Sequence, residues 1–184
     1  MPPATANEPS APNDARLRAA ALDEPFHIVL VEPEIPPNTG NIARLAAATC
    51  CPLHLVGALG FRIDEHAVRR AGLDYWHLVQ VYTHPTLVAA EARIEASARP
   101  GRSWLFSGKA PLNYLDVDFR RGDRLVFGKE SSGLDQALLA QRPEAMVAIP
   151  TLGHVRSLNL ANSVAIALYE ALRQIGALSN AELR

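Results

Sequence analysis

FHIVLVEPEIPPNTGNIARLAAATCCPLHLV, from Phe26 to Val56, sets the architecture. Phe26–Val31 is a short apolar run ending at turn-forming residues, the pattern of a buried strand. Asn38 and Thr39 are residue types that cap helices, and the small apolar residues behind them predict a helix over Gly40–Cys50. Leu53–Val56 reads as a second strand. A strand, a helix and a strand in such close succession form a crossover unit with two parallel strands.

The alternation continues along the chain. Glu65–Ala71 reads as a short helix stopped by Gly72, and Leu78–Tyr82 as a third strand. Thr83 caps a predicted helix over Pro85–Ala98, where proline suits the first turn. Ser103–Phe106, Leu125–Phe127 and Met146–Ile149 complete the strands, with a short helix over Leu134–Ala140 between the last two. The expected fold is α/β, a mostly parallel sheet with helices on both faces. The last helix, Leu158–Gln174, carries two apolar stripes. One is Leu158, Ala161, Ala165, Leu168 and Leu172; the other is Leu160, Val164, Ala167 and Ala171. A surface helix needs one stripe, so this helix is expected to be covered twice, either by its own core or by the sheet and a second subunit.

Composition narrows the classes. The 184 residues suit one α/β domain, and 48% hydrophobic with 20% charged residues is ordinary for a globular protein. No run approaches the ~20 apolar residues that span a bilayer. The proline-rich start, residues 1–24, lacks an apolar signal core and reads as a flexible tail before a domain at 25–184, which points to a cytoplasmic protein. Cys50 and Cys51 are adjacent, which disfavours a bridge, and are expected to be buried thiols. The scattered histidines form no ligand pattern, so no metal is expected. A net charge of −1 gives no global sign of nucleic-acid binding. Locally, FRIDEHAVRRAGLDYW places Arg62, Arg69 and Arg70 beside Tyr75 and Trp76, residue types that grip phosphates and stack on unpaired bases. From sequence alone, a solvated helix face followed by a core aromatic pair is the favoured reading of them.

The loops carry the chemistry. A dinucleotide fold needs G-x-G-x-x-G after its first strand, and a P-loop needs Gly-Lys-Ser/Thr. Neither occurs, and Ser131-Ser132-Gly133 lacks the nucleophile elbow of serine hydrolases. Methyl transfer to a hydroxyl fits what remains. It is an in-line displacement that requires alignment, a cation near the developing alkoxide, an orienting carboxylate and small loops around the donor. Arg44, Glu130 and the pair Ser157/Asn159 supply such groups. Taken singly, each also reads as a surface cation, a first-turn carboxylate or a helix cap.

Three segments together, PPNTGNIARLAAAT at Pro36–Thr49, LVFGKESSGL at Leu125–Leu134 and IPTLGHVRSLNLANSVAIALYEA at Ile149–Ala171, resemble the three motifs of the SpoU/TrmH branch of the SPOUT RNA methyltransferases. Asn38 and Arg44 match the first motif. Gly128, Glu130, Gly133 and Leu134 match the second, and Ser157, Leu158 and Asn159 the third. Within that branch, VLVEPEIPPNTGNIARL and RRAGLDYW resemble the small tRNA (cytidine/uridine-34-2′-O)-methyltransferases. The resemblance implies a C-terminal trefoil knot, a homodimer with sites at its interface, S-adenosylmethionine as donor and tRNA as substrate. By resemblance, Phe106, Gly128, Ile149, Ser157 and Leu158 line the donor pocket. Arg44, Glu130, Ser157 and Asn159 serve catalysis, while Asn38, Arg69, Arg70 and Tyr75 meet the RNA. Lys129 and the TLGHV stretch depart from the usual motif. The alternatives are a ribose methyltransferase for another tRNA position or ribosomal RNA, and a knotted RNA-binding dimer without turnover.

Overall fold

The computed structural model describes residues 15–60, 78–97 and 99–183. In chain order the elements are β1 (Leu17–Arg18), β2 (His27–Val31), α1 (Pro36–Thr49), β3 (Leu53–Val56), β4 (Val81–His84), α2 (Leu87–Glu95), β5 (Ser103–Phe106), β6 (Leu112–Asn113), β7 (Arg124–Phe127), α3 (Gln136–Gln141), β8 (Met146–Ala148), α4 (Leu160–Gln174) and β9 (Glu182–Leu183). Seven strands form one sheet in the order β4-β3-β2-β7-β5-β8-β6, and every pairing in it is parallel.

Period-two alternation divides the core between the two faces. Ile28, Leu30, Leu53, Leu55 and Leu125 pack with Ile42, Ala43 and Ala46 of α1 and with Val164, Leu168 and Leu172 of α4. Val29, Val56, Leu105 and Val126 pack instead with Ala90 and Ile94 of α2 and Leu139 of α3. Strands buried on both faces read as continuous apolar runs, which is why HIVLV and RLVF are legible in the sequence.

Several boundaries differ from expectation. Helix α1 begins at Pro36, four residues ahead of Gly40, because Pro36 and Pro37 occupy its first positions, where a missing N–H costs nothing. Asn38 and Thr39 are therefore buried helical residues and not caps. The third strand is Val81–His84, which moves Thr83 into the sheet and leaves Thr86 to cap α2 through the Ala89 N–H at 3.2 Å. The predicted helix at 65–71 lies outside the described residues, as do Arg62, Arg69, Arg70, Tyr75 and Trp76. Cys51 is buried as expected, and burial pushes its thiol up to about 11, but Cys50 is exposed because it ends α1 in a left-handed turn at φ 55°. Leu17 and Arg18 pair antiparallel with Leu183 and Glu182, a ribbon within the stretch read as a loose tail. On α4, Val164, Ala167, Leu168, Ala171 and Leu172 are fully buried. Leu158, Ala161 and Ala165 of the other stripe are only half-buried, and Ile166 and Tyr169 are exposed.

Three histidines that look unrelated in sequence meet on the α2 side of the sheet. His27 Nδ1 lies 3.1 Å from His54 Nε2, and His54 Nδ1 lies 3.0 Å from His84 Nε2, across β2, β3 and β4. His27 Nε2 is buried without a hydrogen-bond partner among the described residues, and His27 pairs in register with Arg124. A lone pair tolerates that place better than an orphaned N–H beside a guanidinium. The protons therefore point from His27 to His54 to His84. Burial, then Arg124, lowers His27 to about 4; burial, then the neighbouring histidines and Arg93, lowers His54 to about 3. The chain of imidazoles is neutral at pH 7.

Candidate active site

The C-terminal ends of β2, β5, β7 and β8 open into one side of the sheet, where ligands of open α/β folds bind. The loops there enclose a cavity of about 810 Å³. Phe106 and Phe127 give it a stacked aromatic wall, with ring centroids 4.5 Å apart and planes 13° from parallel. Ile149, Leu158 and Leu134 extend that apolar lining, while backbone of the 128–133 loop supplies polar groups.

The loop after β7 is built tightly. A Cβ on Gly128 would fall 2.2 Å from the Gly133 carbonyl carbon and the Leu134 nitrogen, so only glycine lets these segments touch. Lys129 and Gly133 close the turn with mutual backbone hydrogen bonds at 3.2 and 2.9 Å.

That loop is laced to the one after β2. Glu32, in a left-handed conformation at φ 49°, turns the chain out of the strand, and its carboxylate is ion-paired with the Lys129 ammonium. Glu34 accepts from the Ser131 N–H and hydroxyl, both at 3.0 Å. In return, Glu130 accepts from the Glu34 N–H at 2.8 Å, the Ile35 N–H at 3.2 Å and Asn38 Nδ2 at 3.0 Å. Two of those donors lie at the entry to α1, where N–H groups lack helical partners and favour an anion. Burial works against ionisation of Glu130, but the Asn38 amide and the backbone N–H groups outweigh it and hold the carboxyl below its usual range.

Asn38 joins the third motif to the other two. Its Oδ1 accepts from Asn159 Nδ2 at 3.0 Å. Asn159 also caps α4, with Oδ1 accepting from the Ala161 and Asn162 N–H groups at 2.9 and 3.3 Å. One polar chain, Asn159–Asn38–Glu130, thus spans residues 92 and 121 positions apart.

Asn38, Phe106, Gly128, Glu130, Ile149, Ser157, Leu158 and Asn159 all line the cavity. Arg44 does not; it is exposed on α1. Glu34 and Ser131 were missed by sequence reading, although the acid spacing in EPE was visible. No group of three or more potential metal ligands occurs among the described residues, and no described helix is long and apolar enough to cross a membrane.

Residues 25–169 of the chain match the SpoU rRNA Methylase family, and the chain belongs to that family. Among its relatives, a tRNA (cytidine(34)-2′-O)-methyltransferase of Acidovorax sp. (strain JS42) is 47% identical over 150 residues, covering 81% of this chain and 91% of the relative. A solved structure concerned with 2-OH methylation of C/U34 on tRNA is 46% identical, with a TM-score of 0.72, covering 82% of this chain and 95% of that one. The SpoU methyltransferase AviRb from Streptomyces viridochromogenes, solved with AdoMet, is 27% identical at a TM-score of 0.70, covering 84% of this chain and 62% of AviRb.

Proposed function

We propose that this protein methylates the ribose 2′-hydroxyl of the wobble nucleotide, position 34, of tRNA, with S-adenosylmethionine as donor. The observation that carries the reading is the Asn159–Asn38–Glu130 chain, which draws all three family motifs onto one cavity. Relatives named for this reaction match most of the chain at about 45% identity.

The cavity suits the donor. Phe106, Ile149 and Leu158 offer apolar surface for a flat base, and the Gly128 turn brings backbone groups close. When bound, the donor supplies an electrophilic methyl on a sulfonium; the rest of the catalysis falls to side chains. Glu130 uses both oxygens to hold the loop after β2 and the start of α1, so it acts as a positioning residue and not as a proton acceptor. Ser157 is exposed and lines the cavity, which supports a role for it in catalysis and beside the donor.

Arg44 supplies the cation. A guanidinium with pKa above ~12 is a poor base at neutral pH, so its role is to polarise the hydroxyl and stabilise the alkoxide. Its place on an exposed face of α1, away from the lining of its own cavity, supports a homodimer in which one subunit's Arg44 serves the other's site. Exposed Ile166 and Tyr169 on α4 offer apolar surface for the contact. The family relationship supports a trefoil knot in the C-terminal part of a catalytic unit at 25–184. It likewise supports RNA contacts from Arg69, Arg70 and Tyr75, and action in the cytoplasm.

The test is methyl transfer from labelled S-adenosylmethionine to tRNA, followed by nucleoside mapping. Label on the 2′-oxygen of nucleotide 34 is expected. Label at another ribose would move the substrate and keep the chemistry, and absence of both transfer and donor binding would overturn the enzyme reading. Arg44→Lys separates the roles of the cation: unchanged turnover with a rate following lysine ionisation would contradict alkoxide stabilisation.

A further inference from the structure

The chain contains two lysines, Lys109 and Lys129, against sixteen arginines, and both lysines line the cavity. Their circumstances differ. The Lys129 ammonium is held by Glu32, which raises its pKa and leaves no net charge to offer a ligand. Lys109 is exposed on the turn after β5. Its backbone N–H donates to Ser107 Oγ at 3.3 Å, while its ammonium has no ion-pair partner among the described residues.

Arg156, on the loop after β8, is a second such cation. It is exposed and lines the cavity, and its guanidinium makes no ion pair among the described residues. Other arginines are committed: Arg102, Arg120, Arg124, Arg142 and Arg173 each hold a carboxylate. The loops bearing Lys109 and Arg156 adjoin, since a Cβ on Gly108 would stand 4.0 Å from the Arg156 carbonyl oxygen. Among the described residues the only carboxylate in the cavity lining is Glu130, whose oxygens accept from Asn38 and two backbone N–H groups. With Lys129 offset by Glu32, Lys109 and Arg156 stand as two cations against the single Glu130 carboxylate, a local surplus of positive charge in a chain whose formal net charge is −1.

From this geometry we propose that Lys109 and Arg156 form a phosphodiester-binding subsite at the cavity mouth, which grips the RNA backbone next to the nucleotide being methylated. The inference rests on the ribose-methylation reading and deepens it. Long solvated cations cost little to keep unpaired, and a phosphate releases its counterions on meeting them. A flexible ammonium and a planar guanidinium together suit a tetrahedral anion approached from two sides. The carboxylate of the donor's amino-acid end is the competing anion.

The experiment measures equilibrium binding to the full chain and to Lys109→Ala, Arg156→Ala and Lys109→Arg. Anisotropy of a labelled tRNA anticodon stem–loop is followed from about 50 to about 250 mM KCl, and calorimetry measures S-adenosylmethionine. Each alanine variant is expected to bind RNA about tenfold more weakly and to flatten the dependence of log K on log salt by roughly 0.7. Lys109→Arg is expected to keep the wild-type slope, and all three to bind the donor as the wild type does. Unchanged RNA affinity and slope in both alanine variants would overturn the subsite. So would a tenfold loss of donor affinity with the RNA slope intact, which would assign the cations to the donor's carboxylate. If the unmodified protein binds the donor but no RNA at all, the ribose-methylation reading itself fails and takes this inference with it.

Discussion

Acidification should unfold this protein through its buried imidazoles before its carboxylates titrate. His27 and His54 are each 2% exposed, and their folded values lie near 4 and 3 against an ordinary 6.5. As pH falls, the unfolded chain takes up these protons first, so stability is lost from about pH 6.5 downward, until the folded values are reached. By pH 5 each histidine has cost about 2 kcal/mol, or about 4 kcal/mol for the pair, at ~1.4 kcal/mol per pH unit. That is a large part of a typical domain's 5–15 kcal/mol. Glu91 and Glu130, both held below the usual carboxylate range, add their losses only at lower pH. The assay is urea unfolding at about pH 7, 6 and 5, with salt and protein concentration fixed, for the wild type and His54→Gln. The amide can still donate and accept between two imidazoles but cannot titrate, so the variant should lose about 2 kcal/mol less over this range. A wild-type loss below about 1 kcal/mol, or a variant with the full wild-type dependence, would refute a neutral imidazole chain.

Three further substitutions test the scaffold. Gly128→Ala forces a Cβ to within 2.2 Å of two backbone atoms and should weaken S-adenosylmethionine binding by about tenfold or more; calorimetry showing wild-type affinity would refute the close-packed turn. Asn159→Ala should cost about 2 kcal/mol, roughly half from the α4 cap and half from the unpaired Asn38 oxygen. Asn159→Asp keeps the cap and should recover about half of that in urea unfolding. Asp123, 1% exposed, accepts from the Arg102 N–H and Trp104 Nε1, each at 2.8 Å, and from the Arg120 N–H at 3.0 Å. Asp123→Ala should therefore destabilise by about 3–5 kcal/mol, and a loss under about 1 kcal/mol in the same assay would sink the argument.

The sheet was readable because its strands are buried on both faces and announce themselves as apolar runs. Leu53–Val56 and Ser103–Phe106 match to the residue. What failed was local chemistry shared between two roles. Asn38 looks like a cap in isolation, and only the pairing of Pro36 and Pro37 with the first helical turn shows otherwise. The groups that hold Glu130 carry no signal beside it in the sequence, since two of its donors come from a loop nearly a hundred residues earlier. His27, His54 and His84 carry no signal singly, since it is the strand register that lines them up. The two-residue strands β1, β6 and β9 are too short for periodicity to register.

The cross-linking of three distant loops through Asn159, Asn38 and Glu130 also fixes when the pocket can exist. A ribosome delivers Asn38 early, Glu130 much later and Asn159 later still. Until α4 has emerged and docked beside α1, Asn38 has half its amide unanswered and the cavity has no Ser157 or Leu158 wall. A chain that has not yet reached α4 therefore holds most of the sheet but lacks one wall of the cavity. The closed cavity arrives in one step once α4 has been made, so ligand binding by a translating chain would report the moment at which that helix is seated.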